Sequence, residues 1–190
     1  MAAYGDRWFG RDVATLAGGL AMGVVASRML PPMLAAAGDS VRVMLGESPF
    51  EQLKRDHRRI FTLLDTMLAA DDSLDEQGAL FLVLKRTIAK HALAEEDVVY
   101  PVLHTSAGAA DAAKRLYEEH ADVKIHLYAI ETALKTHGNA SGPLRSLNDL
   151  LRRHIRDEED VEFPKLQALM DARASRATSG QIRREEAMIL

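Results

Sequence analysis

Two stretches of this chain carry imidazoles and carboxylates at a spacing suited to holding a metal ion. Lys90-His91-Ala92-Leu93-Ala94-Glu95-Glu96-Asp97-Val98-Val99-Tyr100-Pro101 returns as Arg153-His154-Ile155-Arg156-Asp157-Glu158-Glu159-Asp160-Val161-Glu162-Phe163-Pro164. Residues four apart on a helix lie about 40° apart around its axis. His91 and Glu95 therefore project from one face a turn apart, as do His154 and Glu158. His57 precedes His91 by 34 residues and His120 precedes His154 by the same 34, so the whole His…His-x-x-x-Glu unit recurs after 63 residues. A repeat of that length is a duplicated supersecondary unit, here an antiparallel helix pair. Two such pairs facing each other make a four-helix bundle, and His and Glu directed inward from facing helices are the way bundle cores hold di-iron sites.

The elements that must carry these residues can be read from apolar periodicity. A first helix is expected over about 49–69, with Ser48 as N-cap, Pro49 at the first position, and Leu53, His57, Ile60, Leu64 and Met67 on one stripe. A second starts near Leu74 after the polar turn Asp71-Asp72-Ser73 and aligns Leu80, Leu84, Ile88, His91, Glu95 and Val98. Pro101 and Pro164, each ten residues after its histidine, are expected to end or kink the helix beyond the motif. Gly108 gives a break, and a third helix, about 110–136, turns Leu116, His120, Val123, Leu127, Ile130 and Leu134 inward. The loop Gly138-Asn139-Ala140-Ser141-Gly142-Pro143 precedes a fourth, capped by Ser141 or Gly142, with Leu147, Leu151, His154, Glu158 and Val161 inward. In all four the candidate ligands interrupt an apolar stripe. The fold class expected is all-α, an up-down-up-down antiparallel four-helix bundle with an additional N-terminal helical segment. The division expected is 1–48 as hydrophobic segment and linker, 49–170 as the bundle, and 171–190 as a polar tail that frays, with a last helical stretch at 183–190.

Composition narrows the chemistry. Without cysteine there is no disulfide, thiolate nucleophile or iron–sulfur ligand set, so a transition-metal site must use imidazole and carboxylate. A formal charge of −4 gives no basic footprint for nucleic acid, and none is expected as a partner. A lone histidine in a helix is most often a satisfied core or surface group. Four at matching places in two repeats, two of them followed by a carboxylate, would bury unpaired polar groups at several kcal/mol each unless something compensates them. His104, His126 and His137 fall outside the repeat and read as solvated or structural. Glu96, Asp97, Glu159 and Asp160 point about 100° or 200° from the Glu95 and Glu158 line. They read as surface acids or as groups that orient a ligand histidine.

On these residues the chain resembles the hemerythrin family in its HHE cation-binding form, over about 50–170. The resemblance implies two non-haem iron ions bridged by an oxo or hydroxo group and by the carboxylates of Glu95 and Glu158. His57 and His91 would serve mainly one iron, and His120 and His154 mainly the other. The oxygen-carrying members have a second histidine on the third helix four residues after the first, where this chain has Lys124. That implies a more open coordination. Glu119 is a conceivable substitute but faces about 100° away from His120.

The leading expectation for function is a stand-alone binding protein for O2, NO or peroxide, or a sensor or store of iron. The alternatives are a di-iron oxidoreductase of the peroxidase, catalase-like or NO-reducing kind, and a metal-free helical interaction module. Tyr100 and Tyr117 are candidate proton donors by their nearness in sequence to the ligands. Residues 13–27 form an uncharged run of 15, short of the roughly 20 needed to span a bilayer. A helix packed on the bundle or on a partner, a membrane anchor, and a signal cut after Ala37 remain open for it. The Gly19, Gly23 and Ser27 stripe suits close helix approach. The expected location is cytoplasmic, with membrane association or homo-oligomerisation through residues 1–45 as what the segment would add.

Overall fold

The structure, a computed structural model, describes residues 48–69, 74–106 and 108–189. The expectations for residues 1–45 and for the Asp71-Asp72-Ser73 turn lie outside the described residues. Every described element is helical, and no strand occurs among them. The long helices are α1 (Pro49–Ala69), α2 (Leu74–Ala94), α4 (Ala110–Lys135) and α5 (Ser141–Asp157), with the short α3 (Tyr100–Ser106) and α6 (Phe163–Leu169) continuing α2 and α5. A further helix, α7, spans Ala172–Glu186. Helix α1 packs on α2 and α5, and α4 packs on α5 and α2, so each long helix touches two others.

Local sequence explains the starts and stops. Ser48 caps α1, its hydroxyl accepting from the Phe50 N–H at 3.3 Å and its carbonyl from the Glu51 N–H at 3.1 Å. Gly108 takes φ +62° ahead of α4, a left-handed conformation that costs a residue without Cβ little. The expected caps of α5 move back by a residue or two: Ala140 is the cap position, and the Asn139 carboxamide accepts from the Ser141 N–H at 2.7 Å.

Of the two outcomes expected at the prolines, an end and a kink, the helices show no end. Helix α2 does not end or break at Pro101; it widens into one π-helical turn, π1 (Glu95–Val99), and resumes as α3, and π2 (Glu158–Glu162) does the same ahead of Pro164. In each turn the N–H that follows bonds five residues back, Tyr100 to the Glu95 carbonyl and Phe163 to the Glu158 carbonyl. An α-helical proline would clash with the carbonyl four residues earlier. The wide turn removes that conflict by inserting one residue into the register. The inserted residue corrects the inward line of the second repeat: Val161 is 42% exposed and Glu162 is buried in its place. In α2 the core position belongs to Phe81, with Leu80 half-buried beside it.

Two apolar clusters fill the interior. One joins Ile60, Leu64, Leu84, Ile88, Leu127 and Leu151 with their neighbours, and the other joins Phe50, Leu53, Leu103, Leu116, Phe163 and Ile182 with theirs. On α1, α2 and α4 the histidine falls in sequence between residues of the first cluster and residues of the second. The polar groups are thus set between two water-excluding layers.

The stretch after Asp171, expected to fray, forms α7 instead. Asp171 Oδ1 accepts from the Ala174 N–H at 2.7 Å as N-cap, and the helix packs on α1, α2 and π1. Ile182 enters the second cluster fully buried, a burial worth about 2–3 kcal/mol. A sequence of Arg, Ala and Ser with one large aliphatic residue gives almost no periodic signal, which is why a helix was expected only from residue 183, whereas it starts at Ala172 and ends at Glu186. No described helix is long and apolar enough to cross a membrane.

Candidate metal centre

His57 comes from α1, His91 from α2, His120 from α4 and His154 from α5, while Glu95 and Glu158 open the two π turns. All six are buried, and both glutamates have no exposed surface. Their donor atoms fall into two groups that share Glu95: His57, His91, Glu95 and Glu158 have ligand atoms within 4.8 Å of one another, as do Glu95, His120 and His154. Glu95 spans the two groups, with Oε1 lying 3.2 Å from His91 Nε2 and 3.6 Å from His57 Nε2, and Oε2 lying 3.5 Å from His120 Nε2. Glu158 Oε2 is likewise 3.4 Å from His57 Nε2 and 3.5 Å from His154 Nε2. The structure brings all six sequence-predicted residues together. His104 is exposed, His126 is half-buried, and His137 lies just beyond the end of α4 at φ 53°.

The far nitrogens of three imidazoles are clamped. His57 Nδ1 meets Glu159 Oε1 at 2.7 Å, His120 Nδ1 meets Glu96 Oε1 at 2.9 Å, and His154 Nδ1 meets Glu119 Oε2 at 2.7 Å. A carboxylate on Nδ1 fixes the tautomer so that Nε2 faces the centre with its lone pair available, the arrangement usual behind a metal-bound imidazole. The first two clamps are related by the repeat. Glu159 and Glu96 are 63 residues apart, as are His120 and His57, so each repeat's second glutamate holds the other repeat's first histidine. Glu119, set aside in the sequence because it faces away from His120, is turned instead toward His154 on α5. Lys124 does not enter the centre: its exposed ammonium pairs with Glu96 Oε1 at 3.1 Å.

One group in the centre was visible in the sequence only as a nearby tyrosine. Tyr100 is fully buried; its hydroxyl donates to Glu158 Oε1 at 2.7 Å and lies 3.0 Å from His120 Nε2, 3.4 Å from Glu95 Oε2 and 3.5 Å from His154 Nε2. The equivalent residue of the second repeat is Phe163, which stacks on His57 at 6.0 Å. The centre is therefore asymmetric, with a hydroxyl on the His120/His154 side and a bare ring on the His57 side. Tyr117 packs edge-on against Tyr100 and donates its hydroxyl to the Glu96 carbonyl at 2.6 Å. That carbonyl's π-pattern donor would be the N–H of Pro101, which proline lacks. Tyr117 thus holds the wide turn that aims Glu95 and Glu96.

The electrostatics favour positive charge in the middle. Burial opposes charge on His57, yet the facing carboxylates of Glu158, Glu159 and Glu95 raise it well above the ordinary histidine value, and the same contest lifts His120 to about 9 through Glu95 and Glu96. Burial would raise Glu95, but the imidazoles of His91, His120 and His57 around it hold it well below the usual carboxylate range. Tyr100 is pushed up by burial and by the charges of Glu158 and Glu95. His57 Nε2, both ring nitrogens of His91, Glu95 Oε1 and Glu158 Oε2 have no hydrogen-bond partner. Each unsatisfied buried group costs about 1–3 kcal/mol. A cation bound by His57 Nε2, His91 Nε2, Glu95 Oε1 and Glu158 Oε2 would satisfy those four together, and an imidazole and carboxylate set suits iron, manganese or zinc.

Fold and site thus define an all-helical protein whose buried His/Glu cluster is compatible with metal binding. Residues 48–166 match the model of the hemerythrin HHE cation binding domain, and the chain belongs to that family. Over 111 residues it is also 27% identical to a protein of Nostoc sp. described as a DNA nickase, covering 58% of this chain and 31% of the relative. The chain thus spans about a third of the length of that curated relative. No solved structure matches.

Proposed function

We propose that this chain is a non-haem di-iron protein, with the four long helices as an up-down-up-down bundle and O2, NO or peroxide as its ligand. What carries the reading is the pair of buried donor groups sharing Glu95, the first of which leaves His57 Nε2, His91 Nε2, Glu95 Oε1 and Glu158 Oε2 without the partner that a cation would supply. His57, His91, Glu95 and Glu158 would hold one ion, and Glu95, His120 and His154 the other, Glu95 being common to both. Iron bound there supplies Lewis acidity and redox capacity toward a small oxygen or nitrogen ligand. The chain's own groups do the rest. Glu159, Glu96 and Glu119 orient imidazoles, Tyr100 holds Glu158 by a hydrogen bond, and the two apolar clusters exclude bulk water.

Turnover of peroxide or NO is a second reading, favoured by the Tyr100 hydroxyl, a proton donor set among the ligands. Stopped-flow mixing of reduced protein with peroxide or NO separates the two, since a stoichiometric adduct without turnover fits a binder. A role on DNA like that named for the Nostoc relative would need an excess of cations that a formal charge of −4 does not supply. Residues 1–45 are proposed as a separate segment for oligomerisation or membrane association of a cytoplasmic protein. The deciding experiment is metal analysis of protein grown with iron. Close to two irons per chain are expected, with a large loss in the His91→Ala, His154→Ala double variant. Unchanged iron in that variant, or a melting temperature that chelation does not move, sinks the proposal.

A further inference from the structure

Beside the His/Glu centre, between α2 and α4, lies a cavity of about 240 Å³. Its walls are Ile60, Ile88, Val123, Leu127, Leu151 and Ile155, and its inner end is formed by His91, His120 and His154. His91, whose two ring nitrogens have no hydrogen-bond partner, is therefore both a candidate ligand and a wall of this space. The outer end is edged by Ala89, Lys124 and Tyr128, all exposed. Lys85 and Lys124 at this edge are paired with Glu131 and Glu96, so the mouth offers no unpaired cation to an anionic head group.

The volume exceeds what a diatomic ligand or hydrogen peroxide requires. A single water needs about 10–15 Å³ of such space, and apolar cavities of about 150 Å³ stay dry and take up benzene. A hydrocarbon body of benzene size or somewhat larger therefore fits, and burying it is favourable at about 25 cal/mol per Å² of apolar surface. The only polar groups at the inner end are the imidazoles of the centre, so an occupant needs its polar, metal-ligating head at that end and a carbon skeleton behind it.

Resting on the di-iron reading above, we propose that the substrate class of this centre is a small organic hydroperoxide. Its alkyl or aryl body occupies the chamber and its peroxide head meets the centre past His91, His120 and His154. In its reduction the O–O bond breaks, two electrons come from the reduced metal pair and two protons from solvent, and the products are an alcohol and water. The chamber selects for the hydrocarbon body, which hydrogen peroxide lacks.

The test compares cumene hydroperoxide with hydrogen peroxide in single-turnover oxidation of the reduced, iron-loaded protein, after its metal content is measured. Two variants fill the chamber, Ala89→Trp at its exposed mouth and Val123→Phe in its wall. The ratio of the cumene hydroperoxide rate to the hydrogen peroxide rate is expected to fall at least tenfold in either. Independently of any turnover, benzene is expected to raise the melting temperature of the wild-type protein and not of the variants. A ratio that both variants leave unchanged, or no benzene effect on the wild type, overturns the inference while leaving the iron reading intact. Protein that takes up no iron overturns the iron reading itself, an outcome distinct from these because benzene uptake does not depend on the metal.

Discussion

Replacing Glu186 by Gln should make the protein's stability less sensitive to rising pH, by an amount that follows from where α7 places this carboxyl. Glu186 is 5% exposed, accepts from Gln52 Nε2 at 2.6 Å and lies 3.6 Å from Lys90 Nζ. Burial, followed by the Asp56 charge, pushes it from the usual 4.5 up to about 7. The folded state therefore keeps a proton that the unfolded chain has already lost between these two values. Stability then falls as pH rises through the window. At about 1.4 kcal/mol per unit, the wild type loses roughly 2.5 kcal/mol between pH 5 and pH 8 that a neutral glutamine does not lose. Urea unfolding of both proteins at the two pH values isolates the Glu186 and Asp56 pair, because titrations away from it cancel in the difference. The advantage of the variant over wild type should grow by about 2.5 kcal/mol on going to pH 8. A difference that stays flat across that range would refute the placement of Glu186 in a low-dielectric contact with α1 and α2.

The remaining predictions concern the clamps, the buried hydroxyl, the last helix and the N-terminal segment. Glu159→Gln and Glu119→Gln should each lower metal affinity about 10–100-fold, read by competition with a chelator, because they loosen His57 and His154 without removing a ligand. Tyr100→Phe leaves Glu158 Oε1 without its donor and should cost about 1–3 kcal/mol in urea unfolding of metal-free protein; Phe163 at the equivalent place shows that a bare ring is sterically acceptable in the repeat. Ile182→Ala should destabilise by about 2–5 kcal/mol, whereas a frayed tail would show almost no change. Deletion of residues 1–45 should preserve metal content and the helicity of the remainder while altering oligomeric state or membrane recovery, and loss of metal would show that the segment supports the helices that carry the centre.

The sequence by itself determined the repeat, the long helices and the six candidate ligands. Each depends on local spacing: four residues between His91 and Glu95, 3.6-residue periodicity in the apolar stripes, and a 63-residue echo between the halves. What the tertiary structure decided depends on contacts across long separations and on backbone the period does not describe. His57 and Glu159 are 102 residues apart, and Glu119 reaches His154 rather than its neighbour His120 because α5 packs beside α4. The π turns insert a residue that a 100° rule cannot anticipate, which is why Glu162 replaced Val161 in the interior. Tyr100 and Phe163 occupy the same place in the repeat. Only packing revealed that a single hydroxyl, buried where water cannot compete for it, gives the two halves of the centre different chemistry.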